Sequence, residues 1–534
     1  MNQKLTLPDP IAQGVADGWR VLDGAAQEQD LHLHCDVLII GTGAGGGMTA
    51  EVLASAGLDV LMVEEGALRT SRDFRLLEAK AYPELYQEAA SRKTADKAIN
   101  ILQGRTVGGS TTVNWTSAFR TPADTLNWWG ERYGLHGLSP QAMAPWFDMA
   151  EARLGIADWL ADPNPNNSVL ERGCQALGLK HGRIRRNVRG CWNLGYCGMG
   201  CATNAKQSML VTTIPAALQH QAGLLSRARV ERLLPAADGK SVLGAEGSLL
   251  HADDHRASGR RFRIQARHVV LAAGAIGTPA ILLRSGLGGG QVGQRTFLHP
   301  VSICGAVMPQ RIEPYNGAPQ TVYSDHFMHT QPLDGALGYK LEVPPVHPLL
   351  MGVTLSGFGQ HTASLMQQLP KLHVMLALLR DGFHPDSQGG QVRLRSDGTP
   401  ELDYPLNDVL WDGVRRSWLT MAELQFAAGA HQVQVIHEQA ALQSSWKAAR
   451  EMIGQLALKP LLARLVSAHV MGGAAMSSQP EHGVVDEYGR HWTLRNLSVI
   501  DGSVFPTSIG ANPQLSIYAF ALRAAHQLCA ALKA

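Results

Sequence analysis

Two patterns of apolar residues divide the chain into predicted strands and helices. Short continuous apolar runs such as "DVLII" and "LDVLMV", within residues 36–63, are typical of strands buried on both faces. A glycine-rich turn and a helix-like segment separate these runs, and "HVVLAAGAIGTPAILLRS" (268–285) repeats the order of strand, turn and helix. Between about 301 and 459 the pattern changes to alternating runs such as "GGQVRLRSDGTPELDYP", which predict hairpins.

The order of these elements predicts an α/β protein. Separated segments would build a doubly wound, Rossmann-like nucleotide-binding domain, and a substrate-binding domain with a mostly antiparallel sheet would lie between them. The predicted boundaries are 1–34 for a polar N-terminal extension with one short helix, 35–121, 205–310 and 460–534 for the nucleotide-binding domain, and 122–204 and 311–459 for the substrate-binding or cap domain.

The composition excludes several classes of protein. Of the 534 residues, 45% are apolar and 17% are charged, with a formal net charge of +2, which is typical of a globular chain. The chain has no basic block or basic-aromatic stripe, so we expect no nucleic-acid partner. The N-terminal residues lack the apolar core of a secretory signal, and no run of about 18 apolar residues predicts a membrane span. With seven cysteines in a chain of this length, we expect a reducing, cytoplasmic location.

The first glycine-rich turn carries a dinucleotide-binding pattern. Gly41, Gly43 and Gly46 form G-x-G-x-x-G between a predicted strand and a predicted helix. The first glycine permits a tight turn, the second lets the backbone approach a pyrophosphate, and the third lets the helix pack on the strand. Glu64 follows the second strand at the spacing where a carboxylate accepts hydrogen bonds from ribose hydroxyls. Glu65 is the alternative acid, and this unit alone does not separate NAD from FAD.

Four further blocks resemble one flavoprotein family. "GRTVGGSTTVNW" (104–115) resembles the first signature of the glucose-methanol-choline (GMC) flavoprotein oxidoreductases, and "GAIGTPAILLRSGLG" (274–288) fits the second position by position. "GQRTFLHP" (293–300) stands where the family usually has Asp-His-Pro, with Leu298 in place of the acid. "NLSVIDGSVFPTSIGANPQLSIYAFALRAA" (496–525) is similar to the C-terminal flavin segment. The resemblance, nearest in character to the long-chain alcohol oxidase and dehydrogenase branch, implies FAD and the oxidation of an alcohol.

The first signature also makes chemical sense as a flavin contact. Gly108, Gly109 and Ser110 would bring backbone N–H groups against phosphate or flavin, where bulky side chains would block the approach. Asn114 offers donors and an acceptor toward the flavin edge. In some relatives a histidine near this signature tethers the flavin, and none lies between 104 and 127 here, so we expect non-covalent FAD. The resemblance implies further FAD contacts from Arg105, the Val230 backbone, Asp501, Gly502, Asn512 and Pro513.

The resemblance also implies a catalytic pair. His469, in "SAHVMGGAAM", stands where the family keeps its catalytic histidine, and imidazole is suited to remove a proton near neutral pH. Asn512, in "GANPQLS", occupies the second position of the pair and can hydrogen-bond the substrate oxygen. The predicted step moves the alcohol proton to His469 and a hydride to flavin N5. His299 is a weaker catalytic candidate, because its block is mainly structural in the family.

Three cysteines form an unusual cluster. Cys191, Cys197 and Cys201 have C-x5-C-x3-C spacing in a glycine-rich stretch. We interpret them as thiols packed in a turn or as a disulfide pair, so no metal site is predicted. Iron–sulfur ligation is the less favoured alternative, because a four-thiolate site would need one more cysteine than this segment has.

The substrate class follows from the resemblance and from one apolar segment. Residues 344–379 are rich in Leu and Met, and could be core helices, line an apolar channel or touch a membrane surface, which would allow a peripheral location on its inner face. We expect a hydrophobic, medium- or long-chain alcohol, with oxygen, a quinone, or a cytochrome or partner subunit as the electron acceptor. The alternatives are a non-redox lyase or a fatty-acid photodecarboxylase on the same fold, and a binding protein without chemistry.

Overall fold

The computed structural model of the protein describes residues 9–287 and 289–534. The first eight residues of the predicted N-terminal extension, and Gly288 at the end of the second signature, lie outside the described residues. The predicted α/β class is confirmed, since two large sheets are combined with helices. Within the described ranges the α-helices are Pro10–Ala16, Ala44–Ser55, Glu78–Leu85, Ala123–Tyr133, Pro140–Leu154, Pro165–Leu177, Thr213–Gln219, Gly274–Arg284, Pro348–Thr354, Gln360–Gln367, Asp408–Ala427, Trp446–Gln455 and Gln514–Lys533.

The first sheet is mostly parallel and carries the glycine turn. Leu31–Ile40 lies at its centre, between Val60–Val63 and Ala257–Leu271, and is parallel to both. Its inner strands are continuous apolar runs because helices cover both faces. The eight strands run in the order Val21–Asp23, Gly223–Ser226, Val60–Val63, Leu31–Ile40, Ala257–Leu271, Val242–Leu250 and Ala228–Pro235, with Leu497–Val499 also paired to Ala257–Leu271.

The second sheet is mostly antiparallel and carries residues of the substrate side. Val301–Val307 pairs with Leu372–Leu379, which pairs in turn with Tyr339–Glu342. Ile99–Ile101 joins this sheet through a parallel pairing with Leu465–Ser467. The eight strands run in the order Ile99–Ile101, Leu465–Ser467, Val301–Val307, Leu372–Leu379, Tyr339–Glu342, Val322–Ser324 and Gly182–Arg183, with Gln432–Val435 paired to Val301–Val307.

Three smaller sheets complete the described strands. The alternating segment near residue 400 forms the predicted hairpin, with Gln391–Leu394 antiparallel to Pro400–Asp403. A two-stranded ladder joins Thr296–Phe297 to Met471–Gly472, which brings the block around His299 beside the segment that carries His469. The last sheet combines Ser117–Ala118, Arg185–Asn187 and Ile156–Ala157.

The C-terminal helix Gln514–Lys533 belongs to the core of the nucleotide-binding side. It packs against Ala44–Ser55 and Pro140–Leu154. Among the described residues it is the one helix whose length and mean hydropathy, 1.2, would suit a membrane span, and 61% of the apolar stretch is buried inside the protein. Its apolar character is therefore explained by packing.

Candidate active site

In the first glycine turn, close packing requires two of the glycines, and a third faces open space. Gly41 has φ +100°, and a Cβ added there would lie 2.3 Å from the Ala272 carbonyl oxygen. A Cβ added at Gly46 would lie 2.0 Å from the Gly41 carbonyl oxygen, so both positions require glycine for close packing. At Gly43 an added Cβ would meet only the Gly109 Cα, at 3.9 Å. The Gly43 position therefore faces open space at the start of the helix.

The two predicted FAD loops touch each other at their glycines. Gly108 and Gly109 have φ +89° and +54°, and a Cβ added at Gly109 would lie 2.8 Å from the Gly43 Cα. The Gly108 N–H donates to Thr42 Oγ1 at 3.0 Å. These contacts join segments that are more than 60 residues apart in the sequence.

Glu64 is hydrogen-bonded to the first glycine turn and to the turn that follows its own strand. Its Oε2 accepts hydrogen bonds from the Thr42 N–H at 3.1 Å and the Thr42 hydroxyl at 2.7 Å, while its Oε1 accepts from the Gly66 N–H at 2.9 Å. Burial raises the pKa of Glu64, and these hydrogen bonds partly oppose that rise. Two carboxylate oxygens can accept about four hydrogen bonds, so capacity for a further donor remains.

Glu65 points to a different environment. Its Oε1 accepts a hydrogen bond from Arg229 Nε at 3.1 Å. Burial would raise the pKa of Glu65, but the charges of Arg229, Arg105 and Arg92 act more strongly together and lower it. The two consecutive acids thus point in opposite directions, as the alternation of an extended chain requires.

Asp501 joins the second signature to the C-terminal flavin segment. Its Oδ2 accepts from the Gly274 N–H at 2.8 Å and the Thr278 hydroxyl at 2.6 Å, and its Oδ1 accepts from the Ser503 N–H at 2.7 Å. Burial raises the pKa of the Asp501 carboxyl. Gly502 follows directly in a short 3-10 turn, Gly502–Val504.

The remaining predicted FAD contacts lie around these loops. Ser110 Oγ accepts from the Gly104 N–H at 2.9 Å, and Asn114 Nδ2 donates to Gln514 Oε1 at 2.7 Å. Val230 lies at a bulge in the edge strand Ala228–Pro235. Pro513 is the N-cap residue of the C-terminal helix.

The residues present fit a dinucleotide such as FAD. The Arg105 Nε and the Ser503 Oγ are buried and have no hydrogen-bond partner among the described residues. A cation and a hydroxyl left unsatisfied in the interior are costly unless a ligand completes their hydrogen bonds. Together with the open face at Gly43, they are consistent with a bound pyrophosphate and flavin.

His469 is paired with His299. Their Nδ1 atoms lie 3.1 Å apart, and their rings are stacked with centroids 5.2 Å apart. Burial lowers the pKa of His469 to about 3, with a smaller contribution from the charge of Lys340. Burial, followed by the neighbouring His469, also lowers the pKa of His299. Both imidazoles are therefore neutral near pH 7, and only one of them can donate the shared hydrogen bond.

The block around His299 is held by a carboxylate from the loop that follows the strand Leu372–Leu379. Asp381 accepts hydrogen bonds from the Leu298 N–H at 3.1 Å, the His299 N–H at 3.0 Å and the Tyr404 hydroxyl at 2.7 Å. His299 has φ +48°, in the left-handed region that is uncommon for residues other than glycine. Although Leu298 replaces the family's acid, Asp381 provides a buried carboxylate at the same block.

Asn512 is bound on both sides by an ion pair. Lys340 Nζ donates to Asn512 Oδ1 at 2.8 Å, and Asn512 Nδ2 donates to Glu342 Oε2 at 3.1 Å. Lys340 Nζ also lies 2.7 Å from Glu342 Oε1, and both charged side chains are fully buried. Sequence reasoning missed this pair, although two charges in the otherwise apolar strand "YKLEV" were a signal.

The cysteine cluster lies beside a buried cation, Lys206. Lys206 Nζ donates to the carbonyl oxygens of Thr112, Asn114 and Cys197, at 2.7, 2.8 and 2.7 Å, and burial lowers the pKa of Lys206 to about 8. In the structure all seven cysteines are free. No group of three or more His, Cys, Asp or Glu side chains in the described ranges could hold a metal ion. The turn with Cys197 therefore supports the first-signature loop through Lys206.

Two cavities lie in this part of the protein. A narrow apolar cavity of about 20 Å³ is lined by Tyr82, Tyr86, Leu102, Trp115, Gly198, Met199, Pro345, His347 and Leu350. The N–H of Leu102, a residue of this lining, donates to the Ser467 carbonyl oxygen, two residues before His469. A wider cavity of about 500 Å³ is lined by charged and aromatic side chains, among them Phe119, Arg120, Asp124, Tyr323, Asp325 and Lys340, and reaches Ala511.

Comparison with known proteins defines the class. Two sequence models of the GMC oxidoreductase family match residues 82–301 and 385–521, and a model of an FAD binding domain matches residues 34–75. The long-chain-alcohol oxidase FAO4A of Arabidopsis thaliana is 28% identical over 514 residues, covering 92% of this chain and 68% of the relative. An uncharacterized GMC-type oxidoreductase of Mycobacterium tuberculosis is 30% identical over 501 residues, covering 93% of this chain and 76% of the relative.

A solved structure supports the same fold. The formate oxidase of Aspergillus oryzae aligns with a TM-score of 0.69 at 16% identity, over 95% of this chain and 100% of that chain. The chain belongs to the GMC oxidoreductase family. It is an FAD-dependent oxidoreductase, as the resemblance of its signatures predicted.

Proposed function

We propose that the protein oxidises a hydrophobic, medium- or long-chain alcohol to the aldehyde or ketone, with His469 as the base. The observation that carries this proposal is the half-buried His469, neutral near pH 7, whose Nδ1 is hydrogen-bonded to the Nδ1 of His299. When His469 donates this hydrogen bond, its Nε2 has a free lone pair and can accept the alcohol proton. His299 then fixes the tautomer of the base.

Asn512 would hold the substrate oxygen. One amide N–H is bound to Glu342, and the second N–H is available to a developing alkoxide. Bound FAD supplies the acceptor for the hydride that leaves the alcohol carbon. The side chains around the reacting oxygen would then bind it, remove its proton and stabilise its charge.

The FAD would be held non-covalently by the residues predicted from the sequence. Gly43, Gly109 and the N-terminus of Ala44–Ser55 would accept the pyrophosphate, with the charge of Arg105 nearby. Glu64 would accept from a ribose hydroxyl, and the Val230 backbone would contact adenine. Ser110, Asn114, Asp501, Gly502 and Pro513 would surround the remaining parts of the cofactor.

The apolar lining of the narrow cavity favours a hydrophobic substrate, and the cavity, at about 20 Å³, would have to widen to admit an alkyl chain. Its lining is aromatic and aliphatic, and Pro345, His347 and Leu350 come from a segment, 343–370, that contains no Asp, Glu, Lys or Arg. On the outer side of this segment Leu349, Val353 and Phe358 are exposed, Phe358 by 93%. We place the protein in the cytoplasm. The alcohol chain would enter at this surface, either from solution or from a membrane that the surface contacts peripherally. Long-chain-alcohol oxidase activity in a 28% identical relative points the same way.

The charged cavity favours a second candidate substrate. Because Arg120, Asp124, Asp325 and Lys340 line it, a polar alcohol could approach Asn512 from that side. Substrate preference decides between the two routes.

A test uses the flavin itself as the indicator. FAD-loaded protein, kept anaerobic, is mixed with primary alcohols of increasing chain length and with a matched set of polyols. We expect the long-chain alcohols to bleach the flavin's visible absorbance faster than the shorter alcohols or the polyols do. Reoxidation by air or by a quinone then identifies the acceptor. Absence of reduction by every alcohol would contradict the proposal and favour a non-redox lyase, and reduction by polyols alone would favour the second candidate.

A further inference from the structure

Lys340 and Glu342 place two opposite charges on one face of the substrate sheet. They lie two residues apart in the strand Tyr339–Glu342, so their side chains point to the same side. Both are fully buried, and Lys340 Nζ also lies 3.0 Å from the centre of the Phe119 ring. Burying charges is costly unless their partners are well placed, and a pair that only stabilised the fold could be replaced by apolar residues. The position of the pair beside Asn512 suggests another role.

The chemistry of the pair fixes the orientation of the Asn512 amide. A lysine ammonium can only donate hydrogen bonds, so the amide oxygen must face Lys340. A carboxylate can only accept them, so the amide nitrogen must face Glu342. Exchanging the two ends of the amide would break both contacts.

This orientation determines what Asn512 can offer to a substrate. Its Oδ1 is occupied by Lys340, and one N–H is occupied by Glu342. The remaining group is an N–H donor, which stabilises negative charge on an alcohol oxygen as its proton leaves. The opposite orientation would present a carbonyl oxygen and repel that charge.

We propose that Lys340 and Glu342 are positioning residues that hold Asn512 as a donor to the reacting oxygen. The inference rests on the proposed function of His469 and Asn512 and extends it to two residues outside the four sequence blocks. Lys340 acts on His469 through its charge, which lowers the pKa of that imidazole after the larger effect of burial.

The test is the double substitution Lys340→Met and Glu342→Met, which removes both charges with little change in volume. Replacement of a buried ion pair by apolar residues of similar size is often tolerated, so we expect a folded protein with bound FAD, checked by thermal melting and flavin absorbance. Glu342→Gln is the second variant, because glutamine keeps an acceptor for Asn512 and leaves the lysine in place.

The primary readout does not depend on turnover. Histidines labelled with ¹³C are titrated by NMR in the FAD-loaded protein, and the His469 signal is assigned by its loss in His469→Gln. His373 is an internal control, because it is buried elsewhere and hydrogen-bonded to Asn166. Because removal of a like charge favours the protonated imidazole, we expect the double variant to raise the pKa at which His469 titrates and to leave that of His373 unchanged.

Kinetics provide the second readout. In the double variant we expect kcat to fall by about 10²-fold, with a smaller change in KM, because a donor to the charged oxygen is lost. Glu342→Gln should retain kcat within about tenfold and the wild-type His469 titration. An unchanged kcat in the folded double variant would overturn the proposal. If the wild type oxidises no alcohol, the proposed function fails, and the titration still tests the effect of Lys340.

Discussion

The nucleotide side and the catalytic side of this protein are assembled in different ways. On the nucleotide side, short contiguous motifs contain most of the chemistry, as in the turn from Gly41 to Gly46. On the proposed catalytic side, four separate segments supply two contacts, one between His299 and His469 and one between Lys340 and Asn512. A backbone cradle can be recognised from local glycines, whereas a proton-transfer site depends on side chains that long-range packing brings together.

The largest expected effect concerns the catalytic side. His469→Gln removes the proposed base and should lower kcat by about 10²–10⁴-fold while FAD remains bound. Steady-state kinetics and flavin absorbance measure both properties. His431→Gln is the matched control, because His431 is exposed and outside the site. Wild-type turnover in His469→Gln would show that His469 is not the base.

The next prediction separates a ligand-facing glycine from a packing glycine. A Cβ at Gly43 meets open space, while a Cβ at Gly45 would lie 1.7 Å from the Ile500 carbonyl oxygen. We therefore expect Gly43→Ala to keep the melting temperature of the apoprotein and to weaken FAD binding by about ten- to a hundredfold. Gly45→Ala should lower the stability of the apoprotein itself by about 3 kcal/mol or more.

Calorimetry of the apoproteins and titration with FAD measure the two effects. Equal losses of stability in both glycine variants would show that the first turn serves packing alone.

A smaller effect is expected at the apolar cavity. Leu350→Trp adds volume to its lining and should raise KM for a long-chain alcohol by about tenfold, with little effect on a short one. Met328→Trp makes the matching change in the charged cavity and should leave the long-chain KM unchanged. If the two variants have the opposite effects, the charged cavity is the route of the substrate.

The smallest expected effect is the pH dependence of stability. Burial lowers the pKa of His373 and His469 to about 3 and that of His268 to about 4, against about 6.5 in an unfolded chain. As pH falls below about 6.5, the unfolded state binds protons that the folded state does not bind, so stability is lost progressively toward pH 4. Urea unfolding is measured under two test conditions, at about pH 7.5 and at about pH 5.5. The urea concentration at the midpoint should be lower at the lower pH. An unchanged midpoint would contradict the neutral state of these histidines.

The sequence could predict the α/β class and the flavin signatures because these depend on local patterns. The apolar runs around Gly41 lie within residues 36–63, and the strand, turn and helix around Gly274 lie within residues 268–285. The predicted domain boundaries and site residues remain predictions to be tested by FAD-loaded protein and its variants.

The rest of the site depends on contacts that no local pattern shows. Asp381 supports His299 from 82 residues away along the chain, and Lys340 reaches Asn512 across 172 residues. The His299–His469 pair is formed when the ladder between Thr296–Phe297 and Met471–Gly472 aligns the two segments. The sequence shows the charged pair of Lys340 and Glu342 in an apolar strand, but it does not show that Asn512 is the partner of this pair.

The most direct test of the central assignment is an experimental structure of the protein with bound FAD. The assignment predicts the isoalloxazine ring between the first-signature loop and the segment of His469, with the His469 and Asn512 side chains within hydrogen-bonding reach of a substrate oxygen over its reactive face. A ring bound elsewhere, or His469 separated from it by other side chains, would contradict the assignment.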